Sequence, residues 1–202
     1  IDDCRVTVSG LPGFVVVLDG SRMSCEWQTD SRSKIAGTLP AEEMPRLKRY
    51  DYVTNSNDSY WLSNPGVPLE GYSPIIGPER TARTLRTRAG LTFIGEQLSK
   101  GSKISQEDLQ GVLYSHRNYG AELLLDDVLQ LCEDRSSTVM LDGAEVDVMP
   151  SCDVLRAWDR TANIDSRGGH VWTEFWRRAR RIKNVFVIPF DADDPINTPR
   201  DL

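Results

Sequence analysis

Arg49-Tyr50-Asp51-Tyr52-Val53-Thr54-Asn55-Ser56-Asn57-Asp58-Ser59-Tyr60-Trp61-Leu62-Ser63-Asn64-Pro65 is the stretch on which the reading of this chain turns. Tyr50 to Thr54 is rich in aromatic and β-branched residues and predicts a strand. It runs straight into Thr54-Asn55-Ser56-Asn57-Asp58-Ser59, the densest polar constellation in the sequence. Asn and Asp side chains bond local backbone, so the plainer reading is a tight turn. The other reading is chemical: an Asn at a rigid strand end can aim its side-chain N–H at a developing oxyanion. The local pattern alone leaves both open.

Before this stretch the chain is poor in helix signals. Arg5 to Ser9 alternates weakly, and Phe14 to Leu18 reads as a short strand ended by Asp19-Gly20. Residues 20–48 read as irregular chain around Cys25. After it, four prolines and three glycines punctuate residues 60–78. A loop of that length inside a domain is usually functional, and its aromatic content favours a packed loop over a tether.

Beyond Pro78 the pattern turns helical. Pro78 suits the first turn of a helix through Arg88, with a second over Thr92 to Ser99. Ser105 and Asp108 form a capping box that opens a third, through about Ser115. Ala121 to Cys132 places Leu124, Val128 and Leu131 on one face. Ala144 to Asp159 reads as a further helix, broken or restarted at Pro150. His170 to Ile182 carries Trp172, Phe175, Trp176 and Ala179 at helical spacing. Asn184 to Ile188 reads as a short strand, and the rest as loop. The expected class is α+β and helix-rich, strand and loop first and helices after. The division falls into a strand and loop segment, 1–78, and a mainly helical one, 79–202, together forming one compact fragment.

The 202 residues carry a formal net charge of -6. A non-specific nucleic-acid binder would be basic. The local run Arg177, Arg178, Arg180, Arg181 reads as a solvated helix face. The apolar stretch Phe14 to Leu18 is strand length, far short of the roughly 20 residues that span a bilayer. Four cysteines, Cys4, Cys25, Cys132 and Cys152, lack zinc spacing. They allow three pairings, and composition leaves disulfides and free thiols open. Each of the two sequence-local bridges would stabilise by roughly 3 kcal/mol in the chain-entropy model.

Glu79-Arg80, Arg83, Arg86 and Arg88 form a second polar group. Spacings of three would set Arg80, Arg83 and Arg86 along one helix side. They read either as a solvated basic face or as a guanidinium fixing an active-site carbonyl or carboxylate. His116 and His170 have no nucleophile in a Gly-x-Ser-x-Gly turn and read as surface or packing residues. Asp191, Asp193 and Asp194 lack the EF-hand pattern. There is no phosphate loop. Neither a metal nor a cofactor is expected.

The stretch 49–65 resembles a signature of the penicillin acylase family, on the side of acyl-homoserine-lactone acylases and aculeacin-type acylases. Pro68-Leu69-Glu70-Gly71-Tyr72-Ser73-Pro74 and Ala157-Trp158-Asp159-Arg160-Thr161-Ala162-Asn163-Ile164-Asp165-Ser166 resemble it too, in the same order. The resemblance implies an αββα N-terminal-nucleophile hydrolase. Its precursor cleaves itself to expose a Ser, Cys or Thr, which forms an acyl-enzyme with an amide substrate. Asn57 matches the family's oxyanion Asn. The family's positioning Arg matches Arg80 first and Arg83 second. The resemblance also favours the pairs Cys4–Cys25 and Cys132–Cys152, in a periplasmic or secreted protein.

The chain opens at Ile1, so the resemblance places the nucleophile and the small subunit outside it, and the chain alone is expected to be inactive. The expected substrate is a small N-acyl amide: an acyl-homoserine lactone, a penicillin or a lipopeptide. Neither nucleic acid nor a membrane span is expected. The alternative is a non-catalytic binding or scaffold domain with the same fold.

Overall fold

Thr84 decides where the helical part of the chain begins. In the computed structural model, which describes residues 2–10, 17–101, 103–134 and 138–202, Thr84 is the N-cap of helix α1, Leu85–Ser99. Its hydroxyl accepts from the Thr87 N–H and satisfies a donor left over in the first turn. Residues 78–84 therefore lie outside the helix. Arg80 has φ +49, which α-helical backbone excludes. The two helices expected over 78–99 are one, because Gly90 is tolerated in its interior.

The chain forms two compact units, Ile1–Arg46 with Gly71–Ser73, and Leu47–Glu70 with Pro74–Leu202. In the first, strand β1, Arg5–Val6, pairs antiparallel with β2, Val17–Leu18, with Arg5 opposite Leu18. Only Val17 and Leu18 of the expected strand at 14–18 fall within the described residues. A two-stranded ribbon this short holds poorly by itself. The Cys4–Cys25 disulfide closes it, with Cα atoms 5.7 Å apart, and the Arg22 guanidinium donates to the Asp3 carbonyl at 2.7 Å.

The second unit holds α1, α2 (Gln106–Leu113), α3 (Tyr119–Asp134), β3 (Thr138–Leu141), β4 (Ala144–Asp147), α4 (Met149–Arg156) and α5 (Gly169–Ala179). The α2 capping box of Ser105 and Asp108 is formed in both directions. The helix expected from 144 begins instead as a strand: β3 and β4 make a hairpin, Leu141 opposite Ala144, around Asp142-Gly143. Both turn residues have positive φ, 50 and 82, as a type I′ turn requires. Two expected strands are absent. Among the described residues, 50–54 pair in no ladder, and 184–188 contribute only an isolated bridge, Ile188 to Arg200. The architecture is mixed α+β, helix-rich with two small antiparallel sheets among the described residues.

The main core is built by α3, α4 and α5. Ala121, Leu124, Leu125 and Val128 of α3 bury against Leu155, Trp158 and Trp172. Leu131 has turned away from that face and is exposed. Each fully buried leucine contributes about 2 kcal/mol. Trp172 and Trp176 lie parallel at 6.1 Å, and Cys132–Cys152 ties α3 to α4. A smaller cluster, Trp61, Leu62 and Leu91 with Phe190, Ala192 and Ile196, joins the 49–65 stretch to α1 and the tail. Arg88 of α1 is almost wholly buried. It donates to the Ile196 and Pro199 carbonyls at 2.6 and 2.8 Å, fastening the last residues to the helix.

Candidate active site

The polar stretch at 55–59 is a turn. The Asn55 carboxamide oxygen accepts from the Asn57 backbone N–H at 2.8 Å, and Asn57 has φ +52, a conformation Asn tolerates well. Ser59 then caps a 3-10 turn over Tyr60–Leu62, and the Thr54 N–H donates to the Ser63 carbonyl at 2.8 Å across its base. The turn uses the Asn57 backbone and leaves its carboxamide exposed.

The start of α1 grips this turn from two sides. Arg86 donates to the Ser56 carbonyl. On the other side Asp58 accepts three hydrogen bonds: from Arg83 Nη1 at 2.7 Å, from Thr87 Oγ1 at 2.6 Å and from the Ser59 N–H at 2.8 Å. Burial alone would raise the Asp58 carboxyl, but the Thr87 and Ser59 donors and the Arg83 charge outweigh it and hold it below its ordinary value. The Arg83 side chain is 2% exposed. It lies over the Trp61 ring, 5.6 Å from its centroid, and donates twice to Thr81, at the carbonyl and the hydroxyl.

The arginines therefore do not share a helix side. Arg80 precedes α1, is half exposed and pairs with Asp193 at 2.6 Å and Glu70 at 3.4 Å. Arg83 goes to Asp58 and Arg86 to Ser56. The spacing misled because Thr84 starts the helix after Arg83. Arg80 borders a groove of about 570 Å³, walled also by Pro65, Pro68, Leu91 and Ile196, and Asn57 is not part of its lining. Asp58 and Thr87 are the residues whose part the sequence hid. A Thr directly ahead of the apolar Leu85 was the available signal for the cap, and hence for where Thr87 points.

Of the two other quoted stretches, 157–166 is held by its own hydrogen bonds. Trp158 donates through Nε1 to the Thr161 carbonyl, and Asp159 accepts from the Thr161 N–H and hydroxyl and from Ser166. Arg160 pairs with Asp126, and its carbonyl takes the Asn118 N–H at the entry of α3. His116 and His170 are exposed. Asp191 bonds the Asp193 N–H, and Asp194 accepts from Asn197. Among the described residues no group of His, Cys, Asp and Glu is arranged to hold a metal, and no helix is long and apolar enough to cross a membrane. Two disulfides fit an oxidising compartment.

Comparison with known proteins bears on the same residues. The chain is 41% identical over 188 residues to aculeacin-A acylase of Actinoplanes utahensis, covering 91% of this chain and 23% of that protein. It is 35% identical over 191 residues to the acyl-homoserine lactone acylase PvdQ of Pseudomonas putida, covering 94% and 23%. With the protein of that name from Pseudomonas fluorescens it shares 35% over 190 residues. The chain spans about a quarter of the length of the curated relatives it matches. The penicillin amidase family model matches residues 8–197, which include the turn, its clamp and both disulfides except Cys4. The chain belongs to the penicillin amidase family.

Proposed function

We propose that these residues form part of an N-acyl amide hydrolase of the N-terminal-nucleophile type, with an αββα core completed by segments outside the chain. The nucleophile lies in one of those segments. It attacks the amide carbonyl, forms an acyl-enzyme, and water then releases the acid. Asn57 is the oxyanion donor: its side-chain N–H meets the negative charge that develops on the carbonyl oxygen. The observation that carries this role is the exposed carboxamide of Asn57 on a turn whose neighbours Ser56 and Asp58 are both bonded to α1, by Arg86 and Thr87. A donor held in place before the reaction needs no reorganisation when the charge appears.

Of the two arginines that match the family's positioning residue, Arg83 has the contacts for it. It acts through Asp58, whereas Arg80 faces Glu70 and Asp193. Asp58 and Thr87 act with Arg83 as positioning residues. The substrates are N-acyl amides with an apolar acyl chain, a class to which acyl-homoserine lactones, aliphatic penicillins and lipopeptides belong. The names of the relatives, acylases of aculeacin A and of acyl-homoserine lactones, support that class. The disulfides support a periplasmic or secreted location.

The test compares the full-length precursor, expressed with its export signal, with the 202-residue chain. The expected result is a precursor that splits into two chains and cleaves N-acyl amides, beside an inert 202-residue chain. Hydrolysis by the 202-residue chain alone would place the nucleophile inside it and overturn the proposal. A full-length protein that neither splits nor hydrolyses would make the domain a scaffold.

A further inference from the structure

Helix α2 differs from the other helices of its unit. Helix α1 buries Leu91, α3 buries Leu124 and Leu125, α4 buries Leu155 and α5 buries Trp172. None of the eight residues of α2 is buried. Such a helix is weak by itself. Isolated helices below roughly 12–15 residues are marginal in water, and Gly111 occupies the interior of this one. The capping box fixes where it starts, but helices in proteins are held mainly by packing an apolar face.

That face exists and is open to solvent. Leu109 and Leu113 are one turn apart on the same side, and Tyr114 follows. They are 60%, 69% and 66% exposed, with Ile104 exposed ahead of the helix. Single exposed apolar residues are ordinary. An apolar stripe on a short, glycine-containing helix that buries nothing else is a surface made for contact.

We infer that the Leu109–Leu113–Tyr114 stripe docks against an apolar surface on another segment of the same, longer polypeptide. This rests on the reading that the 202 residues are part of a longer precursor. Two observations select that occupant. Relatives extend far beyond the aligned region, which makes up 23% of aculeacin-A acylase. The stripe is also too small for a second copy: two leucines and a tyrosine cover on the order of 500 Å² at most. A stable dimer takes roughly 800 Å² from each partner. Within one polypeptide a small contact suffices, because the partner is present at millimolar effective concentration.

Backbone hydrogen exchange at residues 109–114 tests this in the 202-residue chain and in the full-length protein, each at two concentrations. The expected result is fast exchange at 109–114 in a chain whose α3 core, 121–128, stays protected, and roughly 100-fold slower exchange at 109–114 in the full-length protein, at either concentration. Equal protection in the chain would mean that the stripe is covered from within, and protection rising with chain concentration would mean a second copy. Fast exchange in both, or a native polypeptide with no residues outside these 202, would leave the stripe without the proposed occupant. Each of those results overturns the inference. Exchange is read independently of catalysis. A full-length protein that protects α2 but cleaves no N-acyl amide would keep the docking surface and reject the proposed activity.

Discussion

Arg83 Nη1 lies 2.7 Å from Asp58 Oδ1, joining residues 25 positions apart, and the two side chains are 2% and 21% exposed. Removing one partner of such a pair leaves an uncompensated charge in a poorly solvated place. Asp58→Ala should therefore destabilise the second unit by about 3 kcal/mol, more than either Thr87→Val or a typical surface change. Urea denaturation of the four members of the Asp58→Ala, Arg83→Ala cycle measures the coupling. Additive effects would mean that the two side chains hold the turn separately.

The same carboxyl predicts a pH dependence. Its pKa in the folded protein lies below that of the unfolded chain. Such a group stabilises the fold at pH above its unfolded value, near 4, and that contribution is lost as pH falls through the folded value. Between neutrality and pH about 4 the contribution is constant; below it, wild type should lose stability more steeply than Asp58→Asn. Parallel acid slopes for the two proteins would show that Asp58 is not the titrating group.

In the full-length protein Asn57→Ala should reduce turnover by roughly 100- to 1,000-fold, with processing and folding preserved. The φ of +52 complicates alanine, which tolerates left-handed backbone less well than Asn. Asn57→Gly removes the carboxamide without that strain. Both variants should lose turnover alike, and a glycine variant with near-normal turnover would remove Asn57 from the mechanism.

Gly168 stands at the N-cap of α5 with φ +121, and a Cβ there would lie 2.7 Å from Trp158 Cβ and 2.9 Å from Trp158 Cγ. Trp158 cannot retreat without leaving the core it shares with Trp172 and Leu155. Gly168→Ala should cost about 2–4 kcal/mol through overpacking and backbone strain together. A fall in melting temperature of the 202-residue chain checks this, and an unchanged melt would show that α5 can shift.

Reduction of Cys132–Cys152 should lower the stability of the second unit by roughly 3 kcal/mol, the loop-entropy value for a bridge of this span. The Cys132→Ser, Cys152→Ser double variant, melted with and without reductant, separates it from Cys4–Cys25. Only the first unit should still respond to reductant in the variant.

Local signals were legible in the sequence. Ser105 and Asp108 announced the α2 cap because both halves of a capping box sit within four residues. The apolar spacing of α3 announced its core face, apart from Leu131. The Asn and Asp content at 55–59 allowed the turn that forms there, without deciding between a plain turn and a catalytic Asn. The β3–β4 hairpin also had a local signal, Asp142-Gly143 between the apolar 139–141 and the alternating 144–148, which the helical reading of 144–159 overran. What stayed hidden was nonlocal. Nothing in the three-residue spacing of Arg80, Arg83 and Arg86 shows that one faces Asp193, one Asp58 and one Ser56. Strand content at 50–54 had no means of revealing that the described residues supply it no neighbouring strand.

One segment of helix meets both the turn and the tail. Thr87 holds Asp58 and Arg86 holds Ser56, while Arg88, next in sequence, holds the carbonyls of Ile196 and Pro199. The first turns of α1 thus act as a beam shared by the turn at 56–58 and by residues 196–199. A change at Ile196 or Pro199 therefore acts on the same three consecutive residues, Arg86, Thr87 and Arg88, that hold the turn carrying Asn57.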